Sequence, residues 1–124
     1  MLTLIKYLWA LPNTLLGLLF LLGGGAILVD GVIEIQNRLT RFILRKFPIT
    51  NGAAALTLGH VVIGLDQQAL FETRAHERVH VRQYERWGPF FLPAYLLTSL
   101  WVWLTGGSPY YDNLFEREAY REAP

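Results

Sequence analysis

Apolar residues run almost unbroken from residue 2 to residue 29, with Lys6 the one charge, and residues 14–29 carry none. With its flanks this run is long enough for one membrane-spanning helix, although Pro12-Asn13 and Gly23-Gly24-Gly25 interrupt it. Further on, residues 32–47 set Ile35, Leu39, Phe42, Ile43 and Phe47 at helical spacing among Arg38, Arg41, Arg45 and Lys46. That pattern predicts an amphipathic helix, suited either to a headgroup surface or to packing on the domain. Pro48 and Asn51-Gly52 mark a break, and residues 54–65, rich in β-branched and apolar residues with Gly59 and Gly64, predict a strand or tight hairpin. From 69 to 87 there is no Gly or Pro, so a long helix is expected to end at Gly88-Pro89. On its wheel Arg74, Arg78, Arg82 and Glu85 share one side, read as a solvated face or one touching anionic lipid, and His76, His80, Gln83 and Trp87 share the other.

A second apolar stretch, residues 90–104, contains 15 uncharged residues rich in Leu and Trp. It is short for a span, Pro89 and Pro93 break its start, and Trp101 and Trp103 suit an interface. The expectation is therefore a re-entrant, interfacial or core-packed segment. After Gly106-Gly107-Ser108-Pro109, residues 112–121 read as an N-capped helix. The fold class is thus mainly α with a small β-strand or hairpin element, α+β. Residues 1–30 are read as an N-terminal membrane anchor and residues 31–124 as one small domain.

Within the long helix, His76-Glu77-Arg78-Val79-His80 is an HExxH. Positions i and i+4 lie on one helical face, so both imidazoles can reach one tetrahedral ion. Glu77, about 100° around the helix, can contact a zinc-activated water as general base without being a ligand. The plainer alternative is two interior histidines with no metal. A catalytic zinc has three protein ligands, and a third donor exists downstream in Glu116-Arg117-Glu118-Ala119-Tyr120. Glu116 and Glu118 lie about 200° apart on a helix, so they cannot both face the ion. Either one is otherwise an exposed carboxylate pairing with Arg117 or Arg121.

The combination resembles the gluzincin metallopeptidases, whose third ligand is a Glu from a later helix in the form E-x-x-A-D. The resemblance implies a miniature zincin-like domain with Zn2+ on His76, His80 and Glu116, with Glu118 as runner-up, and Glu77 as the catalytic base. It also implies a strand before the HExxH helix that pairs with an extended peptide or protein substrate. Tyr120 stands where the family has Asp, so support for a ligand histidine must come from elsewhere, with Asp112 a candidate. The metzincin form is excluded by Gln83 and Arg86. His60 is a candidate for stabilising a transition state, against the ordinary alternative of a structural histidine; Tyr110, Tyr111 and Tyr120 are similar candidates near the third ligand. If residues 90–104 crossed a bilayer completely, Glu116 would stand on the far side from His76 and His80, and the three could not share an ion.

Composition sharpens the setting. Hydrophobic residues make up 52% and mean hydropathy is +0.28, which favours association with a lipid bilayer. A cleaved signal peptide is the competing reading of the first run, but Lys6 makes a weak basic region and no clear small-x-small cleavage site follows. Arg38, Arg41, Arg45 and Lys46 after that run, against Lys6 before it, place the catalytic part on the cytoplasmic side by the positive-inside rule. With no Cys there are no disulfides, and a net charge of +1 argues against a nucleic-acid binder. So small a core gains from a bound metal. Function is expected to be that of a membrane-associated zinc metallopeptidase. The alternatives are a zinc-binding but inactive membrane scaffold, or a plain small membrane protein with a fortuitous HExxH. Oligomeric state is not encoded in any pattern of the chain.

Overall fold

In this computed structural model, which describes residues 2–46 and 54–123, the chain runs α1 (Leu2–Leu18), a 3-10 turn (Leu19–Gly23), β1 (Ala26–Val29), β2 (Val32–Gln36), α2 (Arg38–Arg45), β3 (Ala55–Leu58), β4 (Val61–Gly64), α3 (Gln67–Trp87), a second 3-10 turn (Gly88–Phe90), α4 (Phe91–Leu104) and α5 (Leu114–Glu122). Helix predominates, and one small mixed sheet has the order β1-β2-β4-β3. Two antiparallel hairpins, β1 with β2 and β3 with β4, are joined by parallel pairing of β2 to β4. The α+β class expected from the sequence is the class observed.

Two elements differ from the sequence pattern. The expected helix over 32–47 starts only at Arg38, because Val32, Ile33 and Ile35 favour a strand and alternate between its two faces. Asn37 then caps α2: its side chain accepts from Thr40 N at 2.9 Å while the Thr40 hydroxyl accepts from Asn37 N at 2.9 Å. Phe47, Pro48 and Asn51-Gly52 lie outside the described residues. The first apolar run is also not one helix to Val29. It stops at Gly23, and positive φ at Gly24 and Gly25 turns the chain so that Ala26–Val29 enters the sheet as an edge strand. The segment Thr3–Gly23 remains apolar and long enough, by length and composition, to cross a membrane. The hairpin expected over 54–65 is present as β3 and β4.

The sheet lies between helices on both faces. On one face Val32 and Val62 pack with Leu70 and Val81 of α3. On the other, Ile35, Val61 and Ile63 pack with Leu44 of α2 and with Leu18 and Phe20 at the end of the N-terminal helix. Helix α1 docks through a buried stripe of Ala10, Asn13, Thr14 and Gly17, at the spacing of one helical face. Gly17 is needed there, since a Cβ would stand 2.6 Å from Val61 Cβ.

Burying Glu34 on the α3 side of the sheet corrects the reading of Arg74, Arg78 and Arg82 as a merely solvated or lipid-facing row. Arg74 Nε and Nη2 donate to its two oxygens at 2.9 Å each, and Arg78 Nη2 donates at 3.0 Å. Arg82 is the exposed member, 4.0 Å from Glu122. Burial alone would raise the Glu34 pKa, but the hydrogen bonds and charges of Arg74 and Arg78 hold it below the usual carboxylate value. A depressed folded pKa adds stability that is present above the unfolded value and lost as pH falls through the folded one. Glu34→Gln is expected to destabilise the fold by about 3 kcal/mol at neutral pH. Chemical denaturation should show the deficit shrinking as the wild type is titrated downward from about pH 4.5.

Candidate metal centre

Helix α3 carries the HExxH because both of its ends are firmly set. Asp66 caps the start, accepting from Ala69 N at 2.7 Å, and Gly88 at φ 58° ends it where a Cβ would strike the Trp9 ring. Helix α5 is set equally firmly by Asn113. Its Oδ1 accepts from Phe115 N at 2.8 Å, and its Nδ2 donates to Ser99 Oγ at 2.7 Å and to the Tyr95 carbonyl at 3.0 Å. These bonds tie α5 to α4, so α4 leads the chain back towards α3 and Glu116 returns to the histidines. The apolar stretch therefore supplies a helix over Phe91–Leu104 that buries Phe91 and Ser99 against the fold and leaves most of its leucines and tryptophans exposed.

The three expected ligands converge. His76 Nε2 and His80 Nε2 each lie 3.0 Å from Glu116 Oε1, and one ligand atom from each residue falls within 4.8 Å of the others. His80 and Glu116 are buried, and His76 is nearly so. Glu118 points elsewhere, accepting from Gln83 Nε2 at 2.7 Å. Glu77 also stays out of the cluster: it is buried, and its Oε1 accepts from the Thr57 hydroxyl of β3 at 2.8 Å.

Gln83 decides the chemistry of His80. Its Nε2 donates to Glu118 Oε1 at 2.7 Å and to the Phe115 carbonyl at 3.0 Å, which fixes the amide orientation. The Gln83 carbonyl oxygen therefore faces His80 Nδ1 at 2.8 Å and requires a proton on that nitrogen. A neutral His80 then aims the lone pair of Nε2 at the Glu116 carboxylate, acceptor against acceptor. Only a cation between them relieves that contact, either a proton on His80 or a metal ion. Two imidazoles and one carboxylate around such a point form a donor set that zinc accepts, so the residues present fit the ion.

Charge follows the same geometry. Burial works against a charged His80, yet the hydrogen bond to Glu116 and the charges of Glu77 and Glu116 outweigh it and raise its pKa to about 9. Burial would raise the Glu116 pKa, but hydrogen bonds from His76 and His80 bring it down to about 2. Burial raises the Glu77 pKa above the ordinary value, against the nearby His80 and the Thr57 hydroxyl. Beside the cluster is a cavity of about 260 Å³, walled by β3, Glu77, Tyr84, Phe91, Tyr95 and Tyr110.

The remaining sequence candidates lie at different distances from this centre. Tyr120 places its ring 4.4 Å from that of His76 and its hydroxyl 3.1 Å from the Tyr110 hydroxyl. Asp112 accepts from Ser108 N at 2.8 Å, closing the turn before α5. His60 is buried against α1, stacked on Tyr7 with Nε2 2.8 Å from Glu85 Oε2. Tyr111 is exposed. Two residues not singled out as partners of the ligands are Gln83 and Tyr95, whose hydroxyl donates to Glu116 Oε2 at 2.6 Å. Gln83 shares the histidine face of the wheel, and Tyr95 is the one tyrosine in the apolar stretch. Gln83→Leu is expected to weaken zinc affinity about 10- to 100-fold in competition with a chromophoric chelator.

Comparison of the chain with known protein families, curated proteins and solved structures finds no match.

Proposed function

We propose that this chain is a membrane-associated zinc metallopeptidase, a miniature zincin-like domain with zinc on His76, His80 and Glu116 and with Glu77 as general base. The observation that carries the reading is the meeting of both Nε2 atoms of an HExxH with one oxygen of a buried downstream glutamate, 3.0 Å from each. Zinc held there would supply Lewis acidity towards a carbonyl and a source of hydroxide near neutral pH. Glu77 sits at the cavity wall, where the Thr57 hydroxyl orients one carboxylate oxygen. Its raised pKa suits it to take a proton from water and return that proton to the leaving amine. Tyr95 and Gln83 keep Glu116 and His80 in place. Among the described residues β3 is an edge strand paired only to β4, and it lines the cavity, so an extended peptide could add to its outer side. Incubation of the purified chain with a quenched fluorescent peptide library tests this. Cleavage that stops on chelation and returns with zinc is expected, and cleavage indifferent to chelation would rule the reading out.

A further inference from the structure

The way α1 is attached bears on how the protein meets a bilayer, independently of the metal centre. Its apolar segment of 21 residues is about 30 Å long, so a perpendicular span would use all of it. Yet hydrogen bonds tie it sideways to the folded domain along most of that length. Tyr7 Oη donates to the Gly31 carbonyl at 2.6 Å, Trp9 Nε1 to the Arg86 carbonyl at 3.1 Å, and Asn13 Nδ2 to the Gly88 carbonyl at 3.0 Å. His60 N donates to Thr14 Oγ1 at 3.0 Å, and Asn37 Nδ2 donates to the Phe20 carbonyl at 2.8 Å. A spanning α1 would carry these partners into hydrocarbon, with the His60–Glu85 pair and a sheet face among them. A carboxylate and this many polar groups at that depth cost several kcal/mol, which disfavours the span.

The opposite side of the helix is apolar and open. Leu4, Leu8, Leu11, Leu15, Leu19 and Leu22 recur at helical spacing and are all at least 40% exposed. Helix α2 lies against the same face of the sheet as the end of this helix. It carries Arg38, Arg41, Arg45 and the following Lys46 with no acidic residue, and none of the four makes an ion pair among the described residues. Phe42, on the same helix, is 56% exposed. A row of leucines beside a cationic helix with an exposed Phe complements one kind of partner, the interfacial layer of an anionic bilayer.

We infer that α1 lies in the plane of the membrane rather than across it, with its leucine face in the upper acyl region and α2 on anionic headgroups. The protein would then be monotopic, with the metal centre and both ends of α1 on one side of the lipid. The Trp9 ring lies 6.1 Å from that of Phe90, in the turn that leads into α4, and α4 itself exposes Leu96, Leu97, Leu100, Trp101, Trp103 and Leu104.

The chain lacks cysteine, so single-cysteine variants of the full protein report topology directly. Thr3→Cys and Glu122→Cys, in sealed vesicles of the expressing host, are expected to react with an impermeant maleimide from the same side. Reaction from opposite sides would establish a span and overturn the inference, as would recovery of the untreated protein from the aqueous fraction, whether monomeric or paired through the leucine face. A second readout addresses α2. An environment-sensitive dye on Phe42→Cys should shift to the blue on phosphatidylglycerol vesicles, and Arg38→Glu with Arg41→Glu and Arg45→Glu should abolish that shift. An unchanged shift after charge reversal would remove α2 from the headgroups.

Discussion

Glu77→Gln is expected to leave zinc bound and to reduce peptide cleavage by about a hundred- to ten-thousand-fold, the range set by loss of a positioned general base. The amide keeps the shape of the side chain, and its oxygen still accepts from the Thr57 hydroxyl that holds Glu77 at 2.8 Å. His76, His80 and Glu116 are untouched, so the metal should remain. Measuring cleavage rate and zinc content on the same preparation separates the outcomes. Full activity with zinc present would assign the base elsewhere; loss of zinc along with activity would make Glu77 a structural support. A zinc-binding scaffold without activity would show no cleavage by wild type or variant.

Removing a ligand should cost the protein the stability that zinc supplies. With zinc at a hundred times its dissociation constant, the wild type gains about 2.7 kcal/mol, and roughly 10 °C in Tm for a chain of this size. His80→Ala should lose that gain almost completely. Glu116→Gln should lose far more of it than Glu118→Gln, because Glu118 reaches the histidines through Gln83 and otherwise pairs with Arg86. Acidity gives a further check. In the metal-free protein the proton on His80, with its pKa raised to about 9, must leave before zinc enters. Zinc affinity should therefore rise about tenfold per pH unit until that pH is reached. The same raised pKa stabilises the metal-free fold fully below about pH 6.5, and the benefit disappears as pH rises through about 9. The zinc-induced rise in Tm is accordingly largest on the alkaline side. Thermal scans with and without zinc across pH 6 to 9 would show it, and a flat difference would mean that His80 carries no such proton.

Where the sequence was informative, a short-range pattern matched a local physical cause. The helix from 67 to 87 follows from an uninterrupted run between Asp66 and Gly88, and the hairpin from 55 to 64 follows from β-branched residues around Gly59. Residues 32–47 misled because Ile35, Leu39, Phe42 and Ile43 satisfy helical spacing across a boundary that Asn37 actually sets. Pairing of Ala26–Val29 with β2 was not visible, since an apolar run is equally compatible with a helix and with an edge strand. In the candidate centre, HExxH and the downstream glutamate could be named from spacing. Their supports could not, because Gln83 meets Phe115 and Glu118 across more than 30 residues of chain, and Tyr95 meets Glu116 across 21. Nor could a helical wheel reveal that Arg74 and Arg78 turn to a carboxylate on β2, some 40 residues earlier.

Elemental analysis of zinc on the detergent-purified full chain, before and after reconstitution, bears most directly on the convergence of His76, His80 and Glu116. One zinc per chain, absent from His80→Ala, is the expected result. No zinc in the wild type even after reconstitution would contradict a metal centre here, leaving the two histidines to share the Glu116 carboxylate through protons alone.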